Sequence, residues 1–491
     1  MSSFYDYRAA RAKAFHRLTD GVLDLLVIGG GIVGAGVARD AAMRGLRTGL
    51  VEQRDFAFGT SSRSSRLLHG GLRYLAQGRI RLVYQASGEK RLLHQLAPHL
   101  AQPLAFVFPA YRGSGWPLWK LRLGVRLYDT LCGGRNLGPS QAMTAAEVRA
   151  HLPGLEPKGL YGAVRYFDGL TSDARLVLDT LRSAAAHGAA VINYARCHEA
   201  VRDGGLWRCA LYDEIDGREH VARAHVVVNA TGPWAATFPA SRLRLRLTKG
   251  IHLVVARERL PVPDAVVMTD RRRILFAIPW GRRVILGTTD TDYEGPIEAV
   301  RPEPEDVDYV LAVANRTFPA LALTAADVRG SWAGLRALVA RGRGRPSDIS
   351  RAHQIQMPQP GWVDVAGGKL TTYRLIAEEV VDRAVRYLGC RVLPCATAVV
   401  PLLAPEAAGQ ASGILPPPLQ RHVVEEMCRH QWAVHLDDVM IRRTSWLYAE
   451  DDPAAAARQV AGWMAEILGW NEAVQQAELA RCGPSGGRVS G

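Results

Sequence analysis

The sequence predicts an α/β protein built round a parallel sheet covered on both faces, and three stretches predict it. Asp24 to Glu52, DLLVIGGGIVGAGVARDAAMRGLRTGLVE, reads as an apolar strand, a glycine-rich turn, a helix and a second strand that ends in an acid. Ala224 to Ala236, AHVVVNATGPWAA, is apolar without alternation, as a strand is when helices cover both sides of its sheet. Its small-residue end lets backbone crowd a ligand. Val363 to Val385, VDVAGGKLTTYRLIAEEVVDRAV, repeats the order of strand, glycine turn and helix. The second stretch belongs with the first, so this unit is assembled from separated parts of the chain.

In the first stretch Gly29, Gly31 and Gly34 carry the G-x-G-x-x-G spacing. The first glycine allows the tight turn, the second lets backbone approach a pyrophosphate, and the third lets helix and strand pack closely. The helix then starts with free N–H groups and a positive dipole end facing that phosphate. Glu52 closes the second strand about 20 residues further on, where a carboxylate accepts a ribose 2′-hydroxyl and repels a 2′-phosphate. The expected ligand is therefore FAD or NAD.

At 491 residues the chain exceeds the roughly 250–300 at which one core stops growing, so two or three units are expected. With 48% hydrophobic and 22% charged residues its composition is that of an ordinary globular protein. Its seven cysteines (Cys132, Cys197, Cys209, Cys390, Cys395, Cys428 and Cys482) lack metal-ligand spacing and suggest no disulfide framework. No metal is expected, and a reducing cytoplasm fits best. The arginines and lysine before Asp24 lead into the first strand rather than a signal peptide. No window reaches the roughly 18–20 apolar residues of a membrane span. The net charge of +14 calls for an anionic partner. It is spread along the chain without a nucleic-acid module, so a nucleic acid is not expected.

Phe58 to Gly78, FGTSSRSSRLLHGGLRYLAQG, should be a loop entering a helix, with hydroxyls and backbone N–H groups for a cofactor. Trp116 to Leu131, WPLWKLRLGVRLYDTL, mixes aromatic, cationic and apolar residues as an interfacial helix does, although its faces do not separate cleanly. Ile274 to Thr289, ILFAIPWGRRVILGTT, reads as two strands joined at Gly281. Beyond about Pro394 a Pro-, Ala- and Gly-rich linker leads to helical patterning from Arg421.

Taken in order, VIGGGIVGAGVARDAAMRG, TSSRSSRLLHGGLRYL, NATGPW, KGIHLVV, IPWGRRVILGTTD and GGKLTTYR resemble the FAD-dependent glycerol-3-phosphate dehydrogenases. These belong to the wider group of D-amino-acid-oxidase-like flavoproteins. The resemblance spans about Asp24 to Arg386. It implies FAD held by a discontinuous Rossmann-like domain over 20–100, 171–250 and 346–393. It further implies a mixed-sheet substrate domain over 101–170, with the membrane-facing helix, and 251–345. A linker and a shortened helical C-terminal domain would fill 394–491. Cofactor contacts fall on Gly29, Gly31, Gly34, Glu52, Thr60, Ser61, Ser62, His69, Gly70, Gly71, Thr231, Gly232, Gly368, Lys369, Leu370 and Thr371.

The substrate implied is a phosphorylated polyol, sn-glycerol 3-phosphate, with hydride leaving C2 for flavin N5. Substrate contacts match at Arg73, Tyr74, Arg336, Arg351 and Lys369. Guanidinium forks bind phosphate oxygens bidentately, which makes Arg73, Arg336 and Arg351 the phosphate-clamp candidates. His252 is the candidate base because an imidazole titrates near working pH. Lys369 would stabilise developing negative charge. A quinone acceptor, peripheral attachment to an anionic membrane on its cytoplasmic side and a homodimer complete the expectations. An oxidase, a dehydrogenase of a longer polyol phosphate such as erythritol phosphate, and a non-catalytic flavin scaffold are the alternatives. The sequence departs from the family at Ala337, in RGRGRP from Arg341 to Pro346, and in the short segment between Thr397 and Glu425.

Overall fold

The computed structural model describes residues 5–71, 78–113, 115–131, 136–270, 273–339, 353–404 and 411–483. Arg73, Tyr74, Arg351 and the loop from Arg341 to Pro346 lie outside the described residues.

Helix α1 (Tyr7–Thr19) precedes β1 (Val22–Ile28), α2 (Ile32–Met43) and β2 (Thr48–Val51). There follow β3 (Leu67–Leu68), α3 (Ile80–Leu96), β4 (Gln102–Tyr111), α4 (Leu118–Leu131), β5 (Gln141–Thr144), α5 (Ala145–His151) and β6 (Leu160–Leu170). The chain continues through α6 (Asp173–Ala186), β7 (Ala190–Ile192), β8 (Ala195–Asp203), β9 (Leu206–Asp213) and β10 (Arg218–Asn229).

The first sheet runs β7, β2, β1, β10 and then, from later in the chain, β18 (Trp362–Ala366) and β17 (Gln354–Gln359). From β7 to β18 every neighbour is parallel. Leu25, Leu26 and Val27 of β1 are fully buried because both faces of the sheet are covered. On one face α2 and α6 pack with α8 (Tyr373–Leu388). On the other lie Phe15 and Leu18 of α1 with the β8–β9 hairpin. The sequence reading overlooked α1, whose Arg11 is buried and pairs with Asp213 at 2.7 Å.

The second sheet contains β3 to β6 together with β11 (Leu245–Ala256), β12 (Ala265–Asp270), β13 (Arg273–Trp280), β14 (Arg283–Gly287), β15 (Thr291–Asp292) and β16 (Val328–Val339). It is mixed: β12 runs parallel to β4, while β11, β13 and β14 are antiparallel neighbours. Helix α7 (Pro304–Thr317) and α5 cover one face. The opposite face shares one core with α9 (Arg421–His430), α10 (Trp446–Ala449), α11 (Pro453–Leu468) and α12 (Glu472–Arg481).

The expected class therefore holds, an α/β fold with a Rossmann-like unit, a mixed second sheet and C-terminal helices. One local expectation needs correction. The hydroxyl-rich segment after Phe58 makes a short 3-10 turn at Thr60–Ser62 and then the strand β3, antiparallel to β6. The apolar pair Leu67–Leu68 finds a sheet edge there, which composition alone did not reveal.

A π-helical turn, Asp438–Arg443, docks the C-terminal helices on the first sheet's loops. Arg443 Nη2 donates to Asp55 Oδ1 at 2.8 Å and Arg442 Nε to Asp55 Oδ2 at 2.5 Å. All three side chains are buried. Burial alone would raise the Asp55 carboxyl, but the charges of Arg443 and Arg442 outweigh it and hold the group well below the usual carboxylate range.

Candidate active site

A cavity of about 1590 Å³ runs between the two sheets. That exceeds the roughly 300–1,000 Å³ of a typical small-molecule site. One end is made by backbone. The tip of β1 turns at Gly29, where an added Cβ would lie 2.6 Å from the Ala230 carbonyl oxygen. Gly31 caps α2, and the next amide, Ile32 N–H, donates to Ser61 Oγ at 3.0 Å. Gly34 lies behind the cavity wall, where a Cβ would meet the Gly29 carbonyl oxygen at 1.9 Å. Side-chain-free contact at that point lets α2 approach β1. Glu52 accepts from Gly30 N–H at 2.7 Å and Arg54 N–H at 2.9 Å, which ties the end of β2 to the glycine turn. Burial raises its carboxyl above the ordinary range.

Around this end Thr60, Ser61, His69, Gly71, Thr231, Gly232, Gly368, Lys369, Leu370 and Thr371 line the cavity. Ser62 is buried outside the wall, and Gly70 packs behind it, its N–H donating to Tyr128 Oη at 2.9 Å. Thr371 Oγ1 accepts from His69 N–H at 3.0 Å, joining two loops that are distant in sequence. The cradle fits an extended dinucleotide: bare backbone at the glycine turn, an acid at the end of the second strand, and hydroxyls between them.

The other end is made by side chains on the second sheet. His252 on β11 pairs in register with Trp332 on β16 and with Gly287 on β14. Its ring stacks on Trp332 with centroids 5.2 Å apart. Glycines make room for the large groups: a Cβ at Gly287 would lie 2.6 Å from His252 Cδ2, and one at Gly250 would lie 2.6 Å from Arg336 Nη2. Arg336 on β16 donates to the Thr289 carbonyl and to Asp290 Oδ1, both at 3.2 Å, and to Thr288 Oγ1 at 3.2 Å. His252, Arg336 and Lys369 all line the one cavity.

His252 is pushed down to about 3, first by burial and then by the charges of Arg336 and Arg66. This removes the reason for which the sequence favoured it, titration near working pH, and leaves a neutral imidazole in its place. Sequence reading also missed Ser65, whose Oγ is 2.8 Å from His252 Nε2. Arg63 was missed as well; it lines the wall and lies over the Phe58 ring at 5.2 Å. Nothing in the run SSRSSR separates these positions from their neighbours, because the distinction arises only when β11 and β16 pass beneath the loop.

A third arm of the cavity is apolar, walled by Phe106, Phe108, Leu121, Leu127, Tyr166 and Phe276. Helix α4 forms its rim. It buries Leu121, Val125 and Tyr128, yet leaves Trp119 63% and Leu123 61% exposed. Among the described residues no helix is long and apolar enough to cross a membrane.

The fold and this cavity define a dinucleotide-binding protein. A family model described as FAD dependent oxidoreductase matches residues 24–383. Glycerol-3-phosphate dehydrogenase 2 of Mycobacterium tuberculosis is 36% identical over 524 aligned residues, covering 96% of this chain and 89% of that protein. Aerobic glycerol-3-phosphate dehydrogenase of Bacillus subtilis is 38% identical over 379, covering 76% and 68%. The structure of the Bacillus halodurans glycerol-3-phosphate dehydrogenase complexed with FAD is similar with a TM-score of 0.77, 29% identity and 96% coverage of both chains. The chain belongs to the FAD-dependent glycerol-3-phosphate dehydrogenase family, and FAD is its cofactor.

Proposed function

We propose that this chain oxidises sn-glycerol 3-phosphate at C2 to dihydroxyacetone phosphate and passes the electrons to a membrane quinone. The observation that carries the reading is the sharing of one cavity by the dinucleotide cradle, Arg336, Lys369 and His252. Bound FAD supplies the two-electron acceptor. Arg336 presents a guanidinium fork for the phosphate, a geometry that lysine does not reproduce. Lys369 places positive charge where negative charge develops on the substrate oxygen. His252 is neutral and therefore has a nitrogen lone pair to take the hydroxyl proton. A phosphate dianion beside Arg336 offsets one of the charges that suppress its basicity. Arg73 and Arg351 remain proposed phosphate contacts, and Tyr74 a proposed substrate contact.

Quinone as acceptor is supported by the apolar arm, which joins the cofactor region to the rim at α4. Trp119 and Leu123 of α4 and Ile80 and Tyr84 of the neighbouring α3 are exposed, and α4 also carries Lys120, Arg122 and Arg126. Such a combination suits peripheral binding to an anionic bilayer. Anaerobic titration of the yellow protein tests the reading. Glycerol 3-phosphate should bleach it at once, free glycerol and erythritol phosphate slowly or not at all, and quinone should restore the colour faster than oxygen. Equal bleaching by glycerol and its phosphate would overturn the phosphate clamp.

A further inference from the structure

We propose that Ser65 is a relay that connects the substrate hydroxyl to His252. The inference rests on the reading of His252 as the base and adds the route by which the proton reaches it. His252 Nδ1 is buried and has no hydrogen-bond partner among the described residues. One flat face of the ring is taken by Trp332. The remaining polar atom, Nε2, meets Ser65 Oγ at 2.8 Å, and Ser65 itself lines the cavity. The imidazole thus has a single described polar connection, and it runs through a hydroxyl, which donates and accepts at once.

The position of that hydroxyl is set from both sides. Ser64 N–H donates to Asp173 Oδ2 at 3.0 Å, and Arg66 N–H donates to Ser64 Oγ at 3.0 Å. Arg66 holds a left-handed backbone, φ 56°, unusual for a side chain of its size. Its buried guanidinium lies 4.4 Å from the Trp280 ring and 5.3 Å from the Trp332 ring, and its Nη2 donates to Ser445 Oγ at 3.0 Å. Tyr448 packs on the Trp332 ring, with centroids 5.1 Å apart. The C-terminal helices therefore brace both the loop that carries Ser65 and the ring on which His252 stacks.

Bound FAD would take the C2 hydrogen with its electron pair, leaving the C2–O bond double. The substrate O–H bond breaks toward Ser65 Oγ as the Ser65 proton passes to His252 Nε2. Serine ends as it began, and the imidazole carries one added proton that solvent removes after product leaves. A lone pair on Nε2 requires the ring proton on Nδ1, where the burial that strips it of an acceptor also keeps the ring from protonating before substrate arrives.

The test is the rate of flavin bleaching by glycerol 3-phosphate in a single anaerobic turnover of the FAD-loaded protein. It is read together with the solvent deuterium effect across mixtures of light and heavy water. Ser65→Ala should slow bleaching about 10- to 100-fold, no more than the lower limit of the roughly 10²–10⁴ that a general base contributes, with substrate affinity little changed. Its dependence on deuterium fraction should change from curved, for two protons in motion, to linear. Ser65→Thr, which keeps a hydroxyl, should recover most of the rate. His252→Asn should be slow, and adding Ser65→Ala to it should cost almost nothing more. Bleaching by Ser65→Ala at the parent rate with the parent deuterium curve, while His252→Asn is slow, overturns the relay and leaves His252 acting directly. Parent-like bleaching by His252→Asn overturns the base assignment and the relay with it. Retained flavin absorbance and unfolding midpoint show that each variant is folded.

Discussion

The two ends of the cavity are built by different means. The dinucleotide end is a strand, a turn and a helix contiguous in sequence, and it works through backbone: N–H groups, a helix start and positions where a side chain cannot fit. The proposed reacting end draws His252 and Arg336 from neighbouring strands, Lys369 from a loop after β18 and Ser65 from a loop after β2. It works through buried side chains whose properties depend on one another. The first end is local and tolerates little change at a few positions. The second is distributed, and each of its groups is tuned by residues far away in the chain.

The sharpest way to break the comparison is Gly34→Val. With a Cβ directed at the Gly29 carbonyl oxygen, α2 cannot approach β1, and the purified protein should contain almost no flavin by absorbance. An unchanged flavin ratio would show that the turn is less local than it looks. Next is Asp55→Ala, which takes from the buried Arg443 its carboxylate partner while Arg442 keeps Asp437 and Asp438. Removing one partner of a buried ion network costs about 3–5 kcal/mol, so the denaturant midpoint should fall clearly while the flavin spectrum of the folded fraction stays the same. Arg336→Ala should reduce kcat/KM for glycerol 3-phosphate about 10- to 150-fold, from the roughly 1.5–3 kcal/mol of a charged hydrogen bond. Arg336→Lys should recover only part of this, because the fork is lost.

A further effect lies in pH and shows only in acid. His252 is depressed to about 3 in the folded protein against about 6.5 in the unfolded chain, so the unfolded state binds the extra proton between those values. Its contribution to stability is fully present above about pH 6.5 and declines as pH falls toward 3. In His252→Asn, stability measured by denaturant across that window should fall less steeply. The smallest effect belongs to the rim: Leu123→Asp should weaken co-sedimentation with anionic vesicles at low salt and leave bleaching by glycerol 3-phosphate unchanged.

The dinucleotide end was legible because its information is periodic and local. Gly29, Gly31, Gly34 and Glu52 lie within one strand–helix–strand unit, and their spacing specifies where backbone must be bare. The hairpin at Gly281 and the helix after Lys369 were legible for the same reason. Less could be read at the reacting end. His252 and Arg336 were found by resemblance, but the burial and the two guanidinium charges that depress His252 exist only in the assembled sheet. Helix α1 went unread, as did the pairing of β3 with β6.

The amino-acid order by itself determined the class of fold, the glycine cradle and the acid that closes it, because those depend on steric limits within a few dozen neighbouring residues. Only the tertiary structure decided how basic His252 is, which hydroxyl touches it and how the C-terminal helices brace that contact. Desolvation and charge–charge interaction act through space, and the residues that supply them here meet only after both sheets have closed on the cavity.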